Sequence, residues 1–168
     1  AKILNVSSKN SLKAAIDLGI AMQLTNIARD VYEDAQMKRI YLPYDWIPNI
    51  SLSILNGQNI IDSEQEKKIS IAIHRLIDLS EKFYCNGFSG LKYIPLRARL
   101  GIFIAANVYK GIGIKIKKNG EKYLRKRVYL NSFEKILITI KSIIIFIFLP
   151  LVDYKYLKLR DTLPNENL

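Results

Sequence analysis

The sequence predicts an all-α domain. Three observations point there. Four long segments repeat apolar residues at spacings of three and four. Pro43, Pro48, Pro95 and Pro150 all fall between or beyond those segments. The stretches most able to form strands, Gly113 to Lys117 and Arg127 to Leu130, have no partner joined to them by a hairpin turn.

The first helix is expected from Ser11 to Met37, with Asn10 or Ser11 as its N-cap. Ile40 to Ile61 contains Pro43, Pro48 and Gly57, so it reads as a loop with room for one short helix. A second helix fits Ser63 to Asn86, where Ser63 and Glu66 have capping-box spacing and Ile69, Ile73, Leu76, Ile77 and Phe83 form an apolar face. Gly87, Gly90 and Pro95 mark the next connection. A third helix fits Leu96 to Lys118, closed by Asn119-Gly120. A last one fits Ser132 to Phe148, stopped by Pro150.

The chain of 168 residues is long enough for one domain or part of a larger one. It is 49% hydrophobic and 24% charged, which argues against general disorder. One cysteine, Cys85, excludes a disulfide framework, and one histidine, His74, excludes a His-rich metal site. Gly111 and Gly113 follow no strand and lack a third glycine, so they suit close helix packing better than a dinucleotide site.

The net charge of +11 suggests an anionic partner. Residues 1–108 hold 13 Lys+Arg against 10 Asp+Glu, whereas residues 109–168 hold 13 against 5. Lys115, Lys117, Lys118, Lys122, Arg125, Lys126 and Arg127, with Tyr123 and Tyr129 among them, match no nucleic-acid motif, and no nucleic-acid partner is expected. The apolar run SIIIFIFLPLV, Ser142 to Val152, is shorter than the ~20 residues of a spanning helix. It reads either as a buried terminal helix or as a segment dipping into one leaflet, with Lys135, Lys141, Lys155 and Lys158 at lipid headgroups. Residues 142–168 are thus read as an apolar helix end and basic tail, which the second of these readings places in contact with membrane.

The chemistry is concentrated between Leu18 and Pro43. At about 100° per residue from Gln23, Asn26 falls near 300°, Asp30 near 340° and Asp34 near 20°, so four polar residues share a strip about 80° wide. Unpaired carboxylates four residues apart repel, and a cation relieves that repulsion. Oxygen donors from Asp and Asn suit Mg²⁺, which shares its shell with water and phosphate. Arg29, Lys38 and Arg39 flank the strip, as binding of a diphosphate requires. Leu18, Ile20, Met22, Leu24 and Ile27 suit a substrate with a greasy tail.

These residues also carry a resemblance. QLTNIARDVYEDA followed by RIYLPYDW resembles the second aspartate-rich motif of the squalene/phytoene synthase family, in its bacterial phytoene synthase form. The likeness continues through HRLIDLSEKFYCNGFSGLKYIPLRARLGIFIAANVYKGIGIKI and RVYLNSFEK, and covers roughly residues 11 to 140. It implies an all-α isoprenoid synthase bundle with two facing aspartate motifs around a central cavity. Asn26, Asp30 and Asp34 would hold magnesium (or manganese), with Gln23 and Arg29 near the diphosphate. Tyr109 would lie in the cavity beside the substrate, Arg127 would contact diphosphate, and Tyr41 is a further candidate there. Lys38 and Arg39 would close over the diphosphate.

The implied reaction joins two geranylgeranyl diphosphates head to head, giving the carotenoid precursor phytoene. The alternatives are a farnesyl diphosphate enzyme making squalene, hydroxysqualene or dehydrosqualene, and a non-catalytic assembly-factor relative. Intact Asp30 and Asp34 weigh against the last. No NADPH is expected. The family's first DxxxD motif is absent, and the chain begins at Ala1 rather than Met, so residues 1–168 are expected to be the C-terminal part of the domain, inactive without its N-terminal half. The expected location is the cytoplasm, peripheral at the inner face of the cell membrane.

Overall fold

The computed structural model describes residues 8–119 and 127–148. The helices are α1 (Lys9–Gln36), α2 (Leu52–Leu55), α3 (Ser63–Ser89), α4 (Leu96–Asn119) and α5 (Ser132–Phe148). Short 3₁₀ turns lie at Tyr44–Trp46 and Leu91–Tyr93. There is no strand among the described residues. The 149–168 tail, Gly120, Lys122, Tyr123, Arg125 and Lys126 lie outside them.

α3, α4 and α5 start where expected; the start of α1 and the capping pair of α3 differ. α1 begins earlier because Ser8 is its N-cap, its hydroxyl accepting from the Ser11 backbone N–H at 3.1 Å. The capping box of α3 is Asp62 with Gln65, not Ser63 with Glu66. The Asp62 carboxylate accepts from the Gln65 N–H at 2.7 Å, a stronger acceptor than the neighbouring serine hydroxyl. Asn131 and Glu134 form the same reciprocal pair at the start of α5, at 2.8 Å in each direction. Lys115 on α4 donates to both oxygens of that glutamate at 2.7 Å.

α1 lies against α3 through a stripe of small residues. Ala14, Ala21, Ala28 and Ala35 are buried at seven-residue intervals, with Asp17 and Thr25 between them. The approach is close enough to require glycine at the end of α3 and at its C-cap. A Cβ on Gly87 would stand 2.8 Å from Leu18 Cβ, and one on Gly90 would stand 2.3 Å from Ala14 Cβ. Two core clusters result. Ile47, Ile69, Ile73, Ile77 and Ile116 anchor one. Phe83, Tyr84, Phe88 and Phe103 anchor the other, with Phe88 and Phe103 ring centres 5.1 Å apart.

Gly111 and Gly113 do serve helix packing: a Cβ would meet Ile138 of α5 at 2.5 Å and Ile77 of α3 at 3.2 Å. α5 itself is not a buried helix. Only Ser142 is buried along it, while Phe133, Ile136, Ile140, Ile144, Ile147 and Phe148 are exposed. Ile138 and Phe146 pack inward, leaving an apolar outer face well beyond the scattered single residues usual on a monomer. No helix among the described residues is long and apolar enough to cross a membrane.

Candidate active site

The small-residue stripe sets which side of α1 is free. Ala21, Thr25, Ala28 and Ala35 fall between about 120° and 200° on the same wheel, so the polar strip lies on the opposite side, away from α3. Gln23 is exposed there, and Asn26, Asp30 and Asp34 are half-buried.

Asp30 is the most heavily engaged. Arg29 donates to it through both arms of its fork, Nε to Oδ1 at 2.7 Å and Nη2 to Oδ2 at 2.6 Å. This bond pushes the Arg29 pKa further up, and the guanidinium stays charged. Arg127 approaches the same carboxylate, with Nε 3.2 Å from Oδ1, while its Nη1 lies 3.2 Å from Glu33 Oε2. Alternation delivers Arg127 there. In the run 127–130, which belongs to no helix or strand, Val128 and Leu130 are buried in the core, and Arg127 and Tyr129 are exposed.

Asp34 sits at the edge of a small crevice lined by Ile27, Val31, Ile40, Tyr41 and Leu55. Burial pushes its carboxyl above the ordinary range, and the charge of Asp30 adds to this; Arg39 and Arg29 oppose the shift. Tyr41 is half-exposed at the same crevice. Lys38 and Arg39 belong to the closing turn of α1. The Lys38 N–H donates to Ala35 O and the Arg39 N–H to Asp34 O, a Schellman arrangement. Lys38 takes a left-handed φ of 60°, where glycine is usual.

Tyr109, on α4, is half-buried between the two core clusters. It lies within electrostatic reach of Arg29 and of Tyr84. Tyr84 is fully buried, and its hydroxyl is 3.1 Å from Thr25 Oγ1. Thr25 already donates to Ala21 O at 3.0 Å, so Tyr84 is the donor between them. Burial holds the Tyr84 phenol at a pKa of about 12.

The donor set fits a divalent cation. Asn26 Oδ1 is buried with no hydrogen-bond partner, one helical turn before Asp30, whose charge in turn raises the Asp34 carboxyl. These are oxygen donors only, suited to Mg²⁺ or Mn²⁺. No group of three or more His, Cys, Asp or Glu side chains gathers as a metal cluster among the described residues, so the remaining positions would fall to water and phosphate. A larger cavity of about 400 Å³ lies elsewhere, between α1, α2 and α3. Glu66 is the one ionisable carboxylate or base lining it, so it lacks the charges that bind a diphosphate.

Of the expected residues, Arg29 and Arg127 are joined to Asp30 by ion pairs, and the others are arranged around them with no hydrogen bond or ion pair of their own to Arg127 among the described residues. Asn26, Arg29, Asp30, Asp34 and Arg127 form the polar centre, Tyr41 and Tyr109 flank it, and Gln23 lies on the strip's exposed end. Two contributions were not anticipated. Glu33 falls near 280° on the wheel, at the edge of the strip, so the same arithmetic would have found it. The Thr25–Tyr84 pair joins residues distant in sequence, and no spacing signals it.

The squalene/phytoene synthase family model matches residues 1–134. The chain is 36% identical over 142 residues to a 15-cis-phytoene synthase of Enterobacter agglomerans, covering 84% of this chain and 47% of that protein. It is 37% identical over 136 residues to a phytoene synthase of Pseudescherichia vulneris, covering 81% and 43%. With a phytoene synthase of Cereibacter sphaeroides it shares 36% identity over 136 residues, covering 80% and 37%. The chain thus spans less than half the length of these relatives.

Proposed function

Since the chain belongs to the squalene/phytoene synthase family, we propose that it forms half of the active site of a phytoene synthase, a prenyltransferase of carotenoid biosynthesis. The observation that carries this reading is the convergence of Asn26, Asp30 and Asp34 with Arg29 and Arg127 on one side of α1. Acidic and basic groups so mixed suit a diphosphate ligand held with a cation, and neither alone.

In the proposed reaction one geranylgeranyl diphosphate ionises, and the double bond of a second attacks the allyl cation. A cyclopropylcarbinyl diphosphate, prephytoene diphosphate, forms with loss of a proton. It ionises in turn and rearranges to phytoene, losing the second diphosphate and a second proton. Magnesium, when bound, would neutralise charge on the departing diphosphate. Arg29 and Arg127 would hold its oxygens, with Gln23 as a further donor. Lys38 and Arg39, set by the turn that ends α1, would cover the diphosphate from the other side. Tyr109 would border the reacting carbons, and the half-buried Leu24 and Ile27 would keep water from the cation.

Two further parts of the reading concern partners. The polar strip needs a second aspartate motif facing it, which an N-terminal half of the same fold would supply. The exposed apolar face of α5 suits peripheral contact with the inner face of the cell membrane, where both substrate and product dissolve.

The test is reconstitution. The chain is combined with the N-terminal half of a related synthase, and supplied with C20 and C15 diphosphates side by side in magnesium without NADPH. Phytoene from the C20 substrate is expected, with no product from this chain alone. Preferential use of farnesyl diphosphate would move the assignment to the squalene branch.

A further inference from the structure

We infer that the arginines of this site are exchanged between carboxylates and ligand. Without ligand, Arg29 and Arg127 are held by Asp30 and Glu33; a divalent cation at Asp30 frees them for the diphosphate, and Glu33 is the positioning residue that keeps Arg127 at the site. This rests on the diphosphate-binding reading above and adds the order of its parts.

The argument starts from the Asp30 carboxylate. Oδ1 accepts from Arg29 Nε at 2.7 Å and lies 3.2 Å from Arg127 Nε. Oδ2 accepts from Arg29 Nη2 at 2.6 Å. A magnesium-sized cation approaches its oxygens to about 2.1 Å. It would have to take an oxygen that a guanidinium already uses, and would bring two positive charges against two more. The side chains of Arg29 and Asp30 are only 15% and 18% exposed, so water screens this conflict poorly.

A diphosphate removes the conflict. It accepts the forks that Asp30 gives up, so each guanidinium leaves one anion for another. No proton moves, and both arginines stay charged. Buried Val128 and Leu130 anchor the segment behind Arg127, so the exchange needs only side-chain rotation. Glu33 lies outside the Asn26–Asp30–Asp34 donor set, and its contact at 3.2 Å retains Arg127 when Asp30 turns to the cation. Cation and diphosphate then favour one another's binding, and by linkage the coupling is equal in both directions.

The experiment is calorimetric titration of the 168-residue chain with Mn²⁺ alone, and with inorganic diphosphate at saturating Mn²⁺. Exchange predicts opposite signs for one substitution. Arg127→Gln should tighten Mn²⁺ alone by about three- to fivefold, the scale of a half-exposed ion pair. The same change should weaken inorganic diphosphate about tenfold, as loss of a charged hydrogen bond does. Arg39→Gln makes the same change in charge near Asp34, and should tighten Mn²⁺ clearly less. Glu33→Gln should weaken diphosphate, and adding it to Arg127→Gln should cost nothing further, because Glu33 acts through Arg127.

Circular dichroism checks each variant for lost helix. If Arg127→Gln unfolds, Arg127→Lys replaces it, which retains the charge without the fork and should tighten Mn²⁺ about twofold. Unchanged or weaker Mn²⁺ binding in the Arg127 variants overturns the exchange, as does equal tightening by Arg39→Gln. Additive losses for Glu33→Gln and Arg127→Gln overturn the positioning role. If the unsubstituted chain binds no Mn²⁺, the metal reading itself fails and the exchange with it, an outcome distinct from binding that Arg127 does not affect.

Discussion

Arg127 Nε lies 3.2 Å from Asp30 Oδ1, which ties the segment before α5 to the polar strip of α1. Asp30 thereby has cations on two sides, one from its own helix and one from a distant part of the chain. The arrangement brings two guanidiniums to one carboxylate. It also makes Asp30 and Asp34 unlike one another, since Asp34 has no ion pair within bonding distance among the described residues and sits against an apolar crevice.

Both carboxylates are expected to matter for the proposed reaction. In the reconstituted enzyme, Asp30→Ala or Asp34→Ala should lower kcat/KM by about 10²–10³, the usual loss for one strong electrostatic stabiliser. Asp45→Ala, an exposed residue off the strip, should change it little. Product formation measured by chromatography checks this. An Asp34 variant with full activity would remove that residue from the site.

Asp34 should also cost stability when no cation is present. Its folded pKa is raised, mainly by burial and then by Asp30, so the folded state holds that proton more tightly than the unfolded chain. The contribution is fully present below the unfolded value and is lost as pH rises through the raised folded value. At neutral pH, Asp34→Asn should therefore raise the Tm of the metal-free chain. Millimolar Mn²⁺ should narrow or reverse the difference. A lower Tm for Asp34→Asn without metal would contradict the burial argument.

Glu134 should behave in the opposite sense. Lys115 and the Asn131 backbone hold its carboxyl below the ordinary range. Its contribution is present above the unfolded pKa and is lost as pH falls through the depressed folded value. Protection against hydrogen exchange at the start of α5, relative to the intrinsic rate at each pH, should therefore fall below about pH 4. Glu134→Gln should make that exchange fast at neutral pH as well. Exchange unaffected by either change would mean that α5 is held by its apolar contacts alone.

The α1–α3 approach makes its own demand. Gly87→Ala puts a methyl group 2.8 Å from Leu18 Cβ, 2.9 Å from its Cδ1 and 3.1 Å from its Cα; rotating the side chain moves the Cδ1 but neither the Cβ nor the backbone. The helices must separate, and overpacking of this kind costs about 1–3 kcal/mol. Gly101→Ala, with open space around it, is the control and should be neutral or slightly stabilising. Urea denaturation of both variants measures the difference.

Lys38 presents the reverse case. A lysine at φ 60° is strained where glycine is not. Lys38→Gly should stabilise the end of α1 by up to about 1 kcal/mol. It should also weaken inorganic diphosphate binding, because a cation leaves the turn. Improved stability with unchanged diphosphate affinity would show that Lys38 serves only the turn.

The amino-acid sequence alone determined the helical class and the strip itself. Helical period, caps and proline placement are local, so α4 and α5 start at Leu96 and Ser132 as their sequence indicates. Gln23, Asn26, Asp30 and Asp34 are one face of one helix, and wheel geometry holds whatever the helix packs against. Tertiary structure decided the rest. Alanines at seven-residue intervals turn α1 so that the strip faces away from α3, a choice that a helix with apolar residues on several sides does not announce. The pairing of Arg127 with Asp30 and Glu33, and of Tyr84 with Thr25, depends on the path of the chain between them. The exposed face of α5 has the same cause. An apolar helix reads as buried from its composition, but burial needs a neighbour, and the described residues cover only the side that carries Ile138, Ser142 and Phe146.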